Sequence, residues 1–381
     1  MADRDMLRRV VRKFHPVGQG AFYSECHLTS SGPFNIVYDC GNRGCKRQVQ
    51  PVAAKAFSDS DSIDILFISH FDFDHVSLIS ALKPYPKSIK KVVLPLLNED
   101  EKAFFSGYYR CVGDQETDLD IDTPLQLLAN PHDFFPGAEI VFVRPGENDR
   151  EIQGELPQNM QEEQVGAQGG VESGVNVGGE AGPWVFIPYN HGFSPRARKL
   201  MNALSTWLTK KNYGWADLYK ADFVSEHRTV LNGFYQKIWR GSNENSMVVY
   251  SGPLTTIPIH CHGFVTSPCN SPSFPMFPVH RAPGCLFTGD AELENFNLAK
   301  IFRNYLHLIG TVQIPHHGSN VRFDVAHLPV GGCLCPVSYG LLNKYGHPNA
   351  QVLQQIRACG GLPIDVTEDP LSCFTEVFYF C

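Results

Sequence analysis

The chain has 381 residues, 43% of them hydrophobic and 19% charged, and a formal net charge of −7. That composition is globular and long enough for one large or two ordinary domains, and it excludes a global basic field for nucleic acid, which would need a local patch instead. Met1 to Lys13 is charged and lacks the apolar stretch of a signal peptide, and no apolar run reaches the length of a membrane span. A soluble, cytoplasmic chain without membrane contact is therefore expected. The twelve cysteines are scattered, which suits reduced, mostly buried thiols. His260-Cys261-His262 with Cys269 fits no zinc module.

From the N-terminus, Phe14 to Gly20 reads as a short strand entering a glycine turn, and Phe34 to Gly41 as a strand ending in Asp39-Cys40-Gly41. The lone Gly18-x-Gly20 is weak as a phosphate cradle, because no following helix or distal acid completes a dinucleotide fingerprint. The apolar run Ile63 to Ile68 predicts a buried strand ending at Ser69. Directly after it stand His70, Asp72, Asp74 and His75. Rigid strand ends are where catalytic groups are best held. The plainer alternative is a polar loop opening a helix, with Asp72 or Asp74 as its cap. Two imidazoles and two carboxylates in so short a stretch favour metal.

Val76 to Lys83 predicts a helix, Ile89 to Leu94 a strand, 101–130 polar helix, and Ala138 to Pro145 a further strand. Gly146 to Gly182 is rich in Gly, Glu, Gln and Asn, with too little apolar surface to offset its ordering entropy. Residues 146–183 are therefore expected to be a disordered acidic linker. In 184–241 the bases Arg196, Arg198, Lys199, Lys210 and Lys211, with others, outnumber the acids and alternate with Trp207, Tyr213, Trp215, Tyr219, Phe234, Tyr235 and Trp239. Two or three amphipathic helices are predicted there. They form either a helical insert with a small aromatic core under a solvated basic face, or a surface that tracks a nucleic-acid backbone and stacks bases.

Beyond the insertion, Asn245 to Tyr250 predicts a strand and Pro253 to Pro283 a Pro-rich loop. Cys285-Leu286-Phe287-Thr288-Gly289-Asp290 reads as a short strand with an acid at its end. A helix is expected over Glu292 to His307, then strand Thr311 to Ile314 delivering His316 and His317. Strand Cys333 to Ser338, helix Asn349 to Ala358 and strand Phe374 to Phe380 complete the chain. Strands alternating with helices argue an α/β domain made of 1–145 and 242–381.

Four stretches carry a family resemblance: His70-x-Asp72-x-Asp74-His75, Phe287-Thr288-Gly289-Asp290, Pro315-His316-His317-Gly318-Ser319, and Asn343-Lys344-Tyr345-Gly346-His347-Pro348. Their types and order resemble the metallo-β-lactamase superfamily. Asp72 stands where many members carry histidine, and this form, with the strand from Asn245, resembles the soluble hydrolase domain of the DNA-uptake protein ComEC. The resemblance implies an αββα four-layer sandwich with two metal ions at the strand-end edge of facing sheets. It implies that His70 and Asp72 hold one ion, Asp74 and His75 the other, Asp290 bridges them, and His316 completes the set. Pro16 to Gly20 and Tyr38 to Gly41 would let backbone pass beneath the metals, with Asp39 bonding backbone or ligands. A third-motif histidine has no clear match, His132 and His191 being the candidates. Asp72 makes the set rich in oxygen, so Zn2+ and Mn2+ both fit.

By the same resemblance Asp74 takes a proton from the attacking water, His317 and His347 donate to the substrate, and Ser319 contacts phosphate. The implied activity is a metal-dependent phosphodiesterase, a nuclease; the insertion, which goes beyond the family pattern, adds Arg196, Arg198, Lys199, Lys210 and Lys211 as a contact for its substrate. Two alternatives stand beside it: hydrolysis of a small ester, thioester or lactam, and a regulatory module whose insertion binds a protein partner. Fold alone does not choose among them.

Overall fold

The computed structural model describes residues 7–44, 46–113, 120–146, 151–152, 170–178, 184–192, 195–239, 246–255, 264–266, 282–294 and 296–380. The first strands are β1 (Arg9–Phe14), β2 (Phe22–Thr29), β3 (Gly32–Cys40), β4 (Ser62–Phe67) and β5 (Ser88–Pro95), followed by β6 (Glu139–Val143) and the short β7 (Gly170–Val171). A second sheet begins with β8 (Trp184–Asn190) and β9 (Met247–Pro253), while β10 (Phe264–Thr266) returns to the first. Strands β11 (Gly284–Phe287), β12 (Ile309–Val312), β13 (Leu334–Ser338) and β14 (Leu362–Val366) complete the second, and β15 (Phe374–Tyr379) closes the first. The first sheet runs β10-β15-β1-β2-β3-β4-β5-β6-β7, the second β14-β13-β12-β11-β9-β8.

Side chains alternate across each strand, so each sheet buries two faces. In β9, Met247 and Val249 face the first sheet, while Val248 and Tyr250 face away from it. In β4, Ile65 and Phe67 join the core between the sheets, and Ile63 and Leu66 join the outer one. That outer core is covered by α1 (Lys46–Ala54), α2 (Phe73–Val76), α3 (Ile79–Leu82), α4 (Glu99–Gly113), α5 (Asp122–Ala129) and α6 (Pro131–Phe134). The far side of the second sheet packs on residues 291–294 and 296–308 and on a later helix, Ala350–Ala358. The result is an α/β sandwich of four layers. Fully buried rings such as Phe14, Phe67 and Phe186 each contribute roughly 1.5–3 kcal/mol.

Between the sheets lies a buried polar knot. Arg12 of β1 donates to Glu25 of β2, to Glu376 of β15 at 2.9 Å and to the Pro283 carbonyl at 2.9 Å. Glu25 also accepts from Ser251 of β9 (2.6 Å) and contacts His27 (2.8 Å), and Glu376 accepts from Thr311 of β12 (2.8 Å). Burial raises the Glu25 carboxyl, but Arg12, His27 and Ser251 outweigh it and hold it at about 2. The first sheet is thereby tied to the second.

Several expectations need correction. Trp184–Asn190 does not belong to the insertion: it is β8, buried along its length and paired with β9. A strand covered on both faces reads as an unbroken apolar run, here Trp-Val-Phe-Ile-Pro-Tyr, and its boundary with a helical segment is easily missed. The linker assigned to 146–183 falls partly outside the described residues, but 170–178 is folded onto the sandwich. There β7 pairs with β6, and Val177 lies in the inter-sheet core. The helix expected over Glu292 to His307 is only the short α-turn Leu298–Ile301 and the 3-10 turn Arg303–Leu308. Asn297 caps Lys300 there and restarts the chain. Val76 to Lys83 likewise divides into α2 and α3. His260, Cys261, His262 and Cys269 lie outside the described residues.

The helical insertion is α7 (Pro195–Lys210), a 3-10 turn (Trp215–Tyr219), α8 (Ala221–Glu226) and α9 (Arg228–Trp239). Leu204, Leu208, Leu218, Val224, Leu231 and Tyr235 bury themselves against Ala103, Phe104 and Cys111 of α4. Trp207, Tyr213, Trp215, Tyr219 and Phe234 pack partly buried around that core. Its described aromatics therefore pack into or around a core. Among the described residues, no helix is long and apolar enough to cross a membrane, and the cysteines are free and mostly buried.

Candidate metal centre

Strands β3, β4, β11 and β12 end at one edge of the sandwich, and their following loops supply the ionisable residues. Near the end of β3, Asp39 takes a left-handed conformation (φ 55) that turns its carboxylate under the loop after β4. Its Oδ1 accepts from the Ser69 amide and its Oδ2 from the Ser69 hydroxyl, both at 2.7 Å. Oδ2 also lies 2.8 Å from His75 Nδ1. At Gly41 a Cβ would overlap the Asp74 carbonyl carbon and the His75 nitrogen, so only glycine lets β3 run this close beneath the loop.

These contacts set the protonation of three histidines. Because the Ser69 hydroxyl proton points at Asp39, its oxygen accepts from His70 Nδ1 at 2.9 Å. His75 Nδ1 donates to Asp39, and His317 Nδ1 donates to the Ser338 carbonyl at 2.8 Å. Each ring in its neutral form thus turns a bare Nε2 inward. His70 Nε2 is buried with no hydrogen-bond partner, 3.9 Å from Asp72 Oδ2 and 4.0 Å from Asp290 Oδ2. His75 Nε2 faces Asp290 Oδ1 and His317 Nε2 faces Asp74 Oδ2, each at 3.1 Å. Lone pair faces carboxylate three times over. Only a proton or a cation resolves such contacts, and the ligand chemistry, N and O at a buried strand end, fits a divalent metal.

Ligand atoms of Asp74, His75, Asp290 and His317 all lie within 4.8 Å of one another. A second group forms at His70, Asp72 and Asp290, whose two oxygens face His75 and His70 respectively. The expected helix cap is not realised: Asp72 stands at the N-cap of α2, but its side chain caps no amide and accepts instead from the Tyr109 hydroxyl of α4 at 3.0 Å.

Electrostatics follow from burial and this crowding. Burial and the neighbouring Asp74 push the Asp72 carboxyl up to about 6. Burial and the charge of His75 bring His70 down to about 4. For His75, burial is outweighed by Asp290 and Asp39, which hold it well above the usual imidazole range. Burial likewise opposes Asp74 and Asp290, but His317 and His75 hold these carboxyls below theirs.

The second sheet's loops close the site. Asp290 follows Gly289 (φ 54), where a Cβ would overlap Ser246 Oγ, and the Asp290 amide donates to that hydroxyl at 3.0 Å. Gln313 supports the turn by accepting from the Thr288 and Gly289 amides at 2.7 and 2.9 Å. His316, His317 and Gly318 have φ of 50, 55 and 74, a run that aims the two imidazoles apart. His317, not His316, enters the four-residue cluster, while the His316 ring stands 5.8 Å from that of His347. Ser319 is buried and accepts from the Val321 amide.

His347 stacks beside His317, 6.0 Å between centroids, and burial with the charge of His317 lowers it to about 4. The Gly340 amide donates to Gln19 Oε1 (3.3 Å), which orients Gln19 so that its Nε2 donates to His347 Nδ1 at 3.4 Å. His347 is thereby set with its proton on Nε2. His132 is exposed on α6 and the His191 ring packs on Phe296, 4.3 Å between centroids, so neither joins the clusters. Arg198, Lys199 and Lys210 are exposed on α7 and Lys211 just after it; the Arg196 side chain lies outside the described atoms. Tyr109 and Gln19 are the functional neighbours that sequence reasoning missed. The Gly-Gln-Gly spelling around Gln19 was the available signal, and Tyr109 had none.

No family model matches the chain, and no curated protein matches it. Among solved structures, that of unliganded yeast PDE1 is similar at a TM-score of 0.39 and 10% identity, covering 98% of this chain and 100% of that one.

Proposed function

We propose that the chain is a metal-dependent phosphodiesterase of the metallo-β-lactamase type that cleaves nucleic acid with two divalent ions, Zn2+ or Mn2+. One observation carries this reading: three buried imidazoles have Nδ1 fixed by an acceptor and Nε2 turned toward Asp72, Asp74 and Asp290. His70 and Asp72 would hold one ion, His75, Asp74 and His317 the other, with Asp290 shared. Bound divalent ions supply Lewis acidity and lower the pKa of water toward neutrality.

The chain's own residues then divide the remaining work. Asp74, beside His317, is placed to take a proton from the attacking water. His347, neutral near pH 7 and with its proton on Nε2, donates to a phosphoryl or leaving oxygen at the rim. Asp39 and Tyr109 hold His75 and Asp72 in the orientations that ligation needs. Exposed Arg198, Lys199, Lys210 and Lys211 offer a contact for a nucleic-acid backbone or a protein partner.

The test is cleavage of labelled single- and double-stranded DNA and RNA, and of bis-p-nitrophenyl phosphate, by metal-stripped protein with Zn2+ or Mn2+ restored. Restored cleavage that Asp290→Ala lacks is the expected result. No turnover of any phosphodiester, with metal bound, would sink the reading.

A further inference from the structure

Arg43 lies in the turn that carries the chain from β3 into α1, its guanidinium 6.0 Å from the centroid of Phe73 in the metal loop. Its charge reaches Asp72. Along α1 from that point runs a groove of about 470 Å³, lined by Arg47, Gln50 and Lys55 on one wall and by Ser80 and Tyr85 on the other. No acidic residue lines it. Its volume falls within the range of small-ligand pockets, about 300–1,000 Å³, enough for a nucleotide unit. Ser80 follows His75 by five residues of mostly helical chain, about 8 Å of rise. One wall of the groove therefore begins within two helical turns of the metal loop along the chain.

Its chemistry is unlike that of the insertion. Residues 43–55 hold Arg43, Lys46, Arg47 and Lys55 with no Asp or Glu, in a chain whose net charge is −7. Tyr85 stands between Pro84 and Pro86 and is 47% exposed, an aromatic face held outward by stiff neighbours. On the insertion the bases are exposed but the rings are turned into a core. The groove joins exposed cations to an exposed ring. Backbone phosphates need the first and unpaired bases the second.

We infer that this groove binds a single-stranded nucleic acid leading to the strand-end site, with Arg47 and Lys55 on backbone phosphates and Tyr85 stacked on a base. The inference rests on the phosphodiesterase reading for its link to catalysis, but binding can be measured without catalysis. The probe is a fluorescent single-stranded oligonucleotide of about twelve nucleotides, within the range of single-strand site sizes, added to metal-stripped full-length protein.

Arg47→Glu with Lys55→Glu should weaken its binding at least ~10-fold and lower the slope of log affinity against log salt by about 1.4, two phosphate contacts' worth. Tyr85→Ala should weaken single-strand binding by roughly 5- to 100-fold. Both variants change exposed side chains and should keep metal-dependent turnover of bis-p-nitrophenyl phosphate. Oligonucleotide affinity within about two-fold of wild type in both would overturn the groove. Failure of the metal-loaded wild type on the small diester would overturn the phosphodiesterase reading instead, and leave the binding result to stand by itself.

Discussion

Arg12, Glu25 and Glu376 between the sheets, and Asp74, His75, Asp290 and His317 at the strand ends, are equally dry. In the first group each carboxylate oxygen has a donor: a guanidinium, a hydroxyl or an imidazole. In the second, His75 faces Asp290 and His317 faces Asp74, each at 3.1 Å, with His70 and Asp72 crowded beside them. A buried ion pair with its partners intact costs much to break, whereas imidazoles and carboxylates crowded at one point can exchange the imidazole protons for a cation. The difference separates polar residues that hold a fold together from polar residues waiting for something to hold.

The largest effect should come from emptying the second group. Asp74→Ala or Asp290→Ala should lower metal-dependent kcat/KM by about a thousand-fold or more and abolish the rise in Tm that added Zn2+ or Mn2+ gives the wild type. Metal-free, either variant should lose only modest stability in urea unfolding at neutral pH, since an imidazole partner holds each carboxylate below its usual range. Marked destabilisation would erase the contrast with the inter-sheet knot.

Breaking the knot should do the reverse. Glu25→Gln leaves Arg12 short of a charge and should cost about 3–5 kcal/mol in urea unfolding, with metal affinity retained. The Glu25 carboxyl is depressed, so its contribution is present above the ordinary 4.5 and is lost as pH falls toward about 2. Acid unfolding of the wild type should steepen in that window, and in Glu25→Gln it should flatten there. An unchanged profile would show that other carboxyls govern acid stability.

A smaller effect should sharpen the comparison at the residues that aim ligands. Tyr109→Phe removes the hydroxyl from Asp72, and Asp39→Asn weakens the hold on His75. Each should lower metal affinity by about 10–100-fold in competition with a chromophoric chelator. Wild-type affinity in both would make these contacts packing only. Smallest of all, Lys210→Glu with Lys211→Glu on the insertion should change stability by no more than about 0.5 kcal/mol. It should reduce oligonucleotide affinity less than reversal of Arg47 and Lys55; the opposite ranking would return the insertion to the principal role.

What could be read beforehand was what is dense and local. Four metal-binding types in the loop after an apolar run announce themselves, as does Gly289-Asp290 at a strand end. Asp39 was legible as a supporting group through the family resemblance of Tyr38 to Gly41. Tyr109 was not, since it reaches Asp72 from a helix whose amphipathic pattern says only that one face is buried. Nor was the choice between His316 and His317, which depends on successive left-handed residues that two histidines side by side do not announce. The insertion's rings could equally have faced water or packed inward. Helix α4, whose Phe104 and Gly107 receive Tyr235, decides it, and that contact spans more than a hundred residues.

In the first sheet β1 lies between β2 and β15, with Arg9 opposite Tyr379 and Phe14 opposite Phe374. The strand that supplies Arg12 therefore stays open along one edge until residues 374–379 have left the ribosome, and β10 has nothing to join before then. Through most of synthesis that edge is unpaired and Glu25 faces an Arg12 lacking its second carboxylate. Such an edge is where nascent chains pair with the wrong neighbour. The yield of a chain built this way should be most sensitive to changes in its last strand, far along the sequence from every residue that does chemistry.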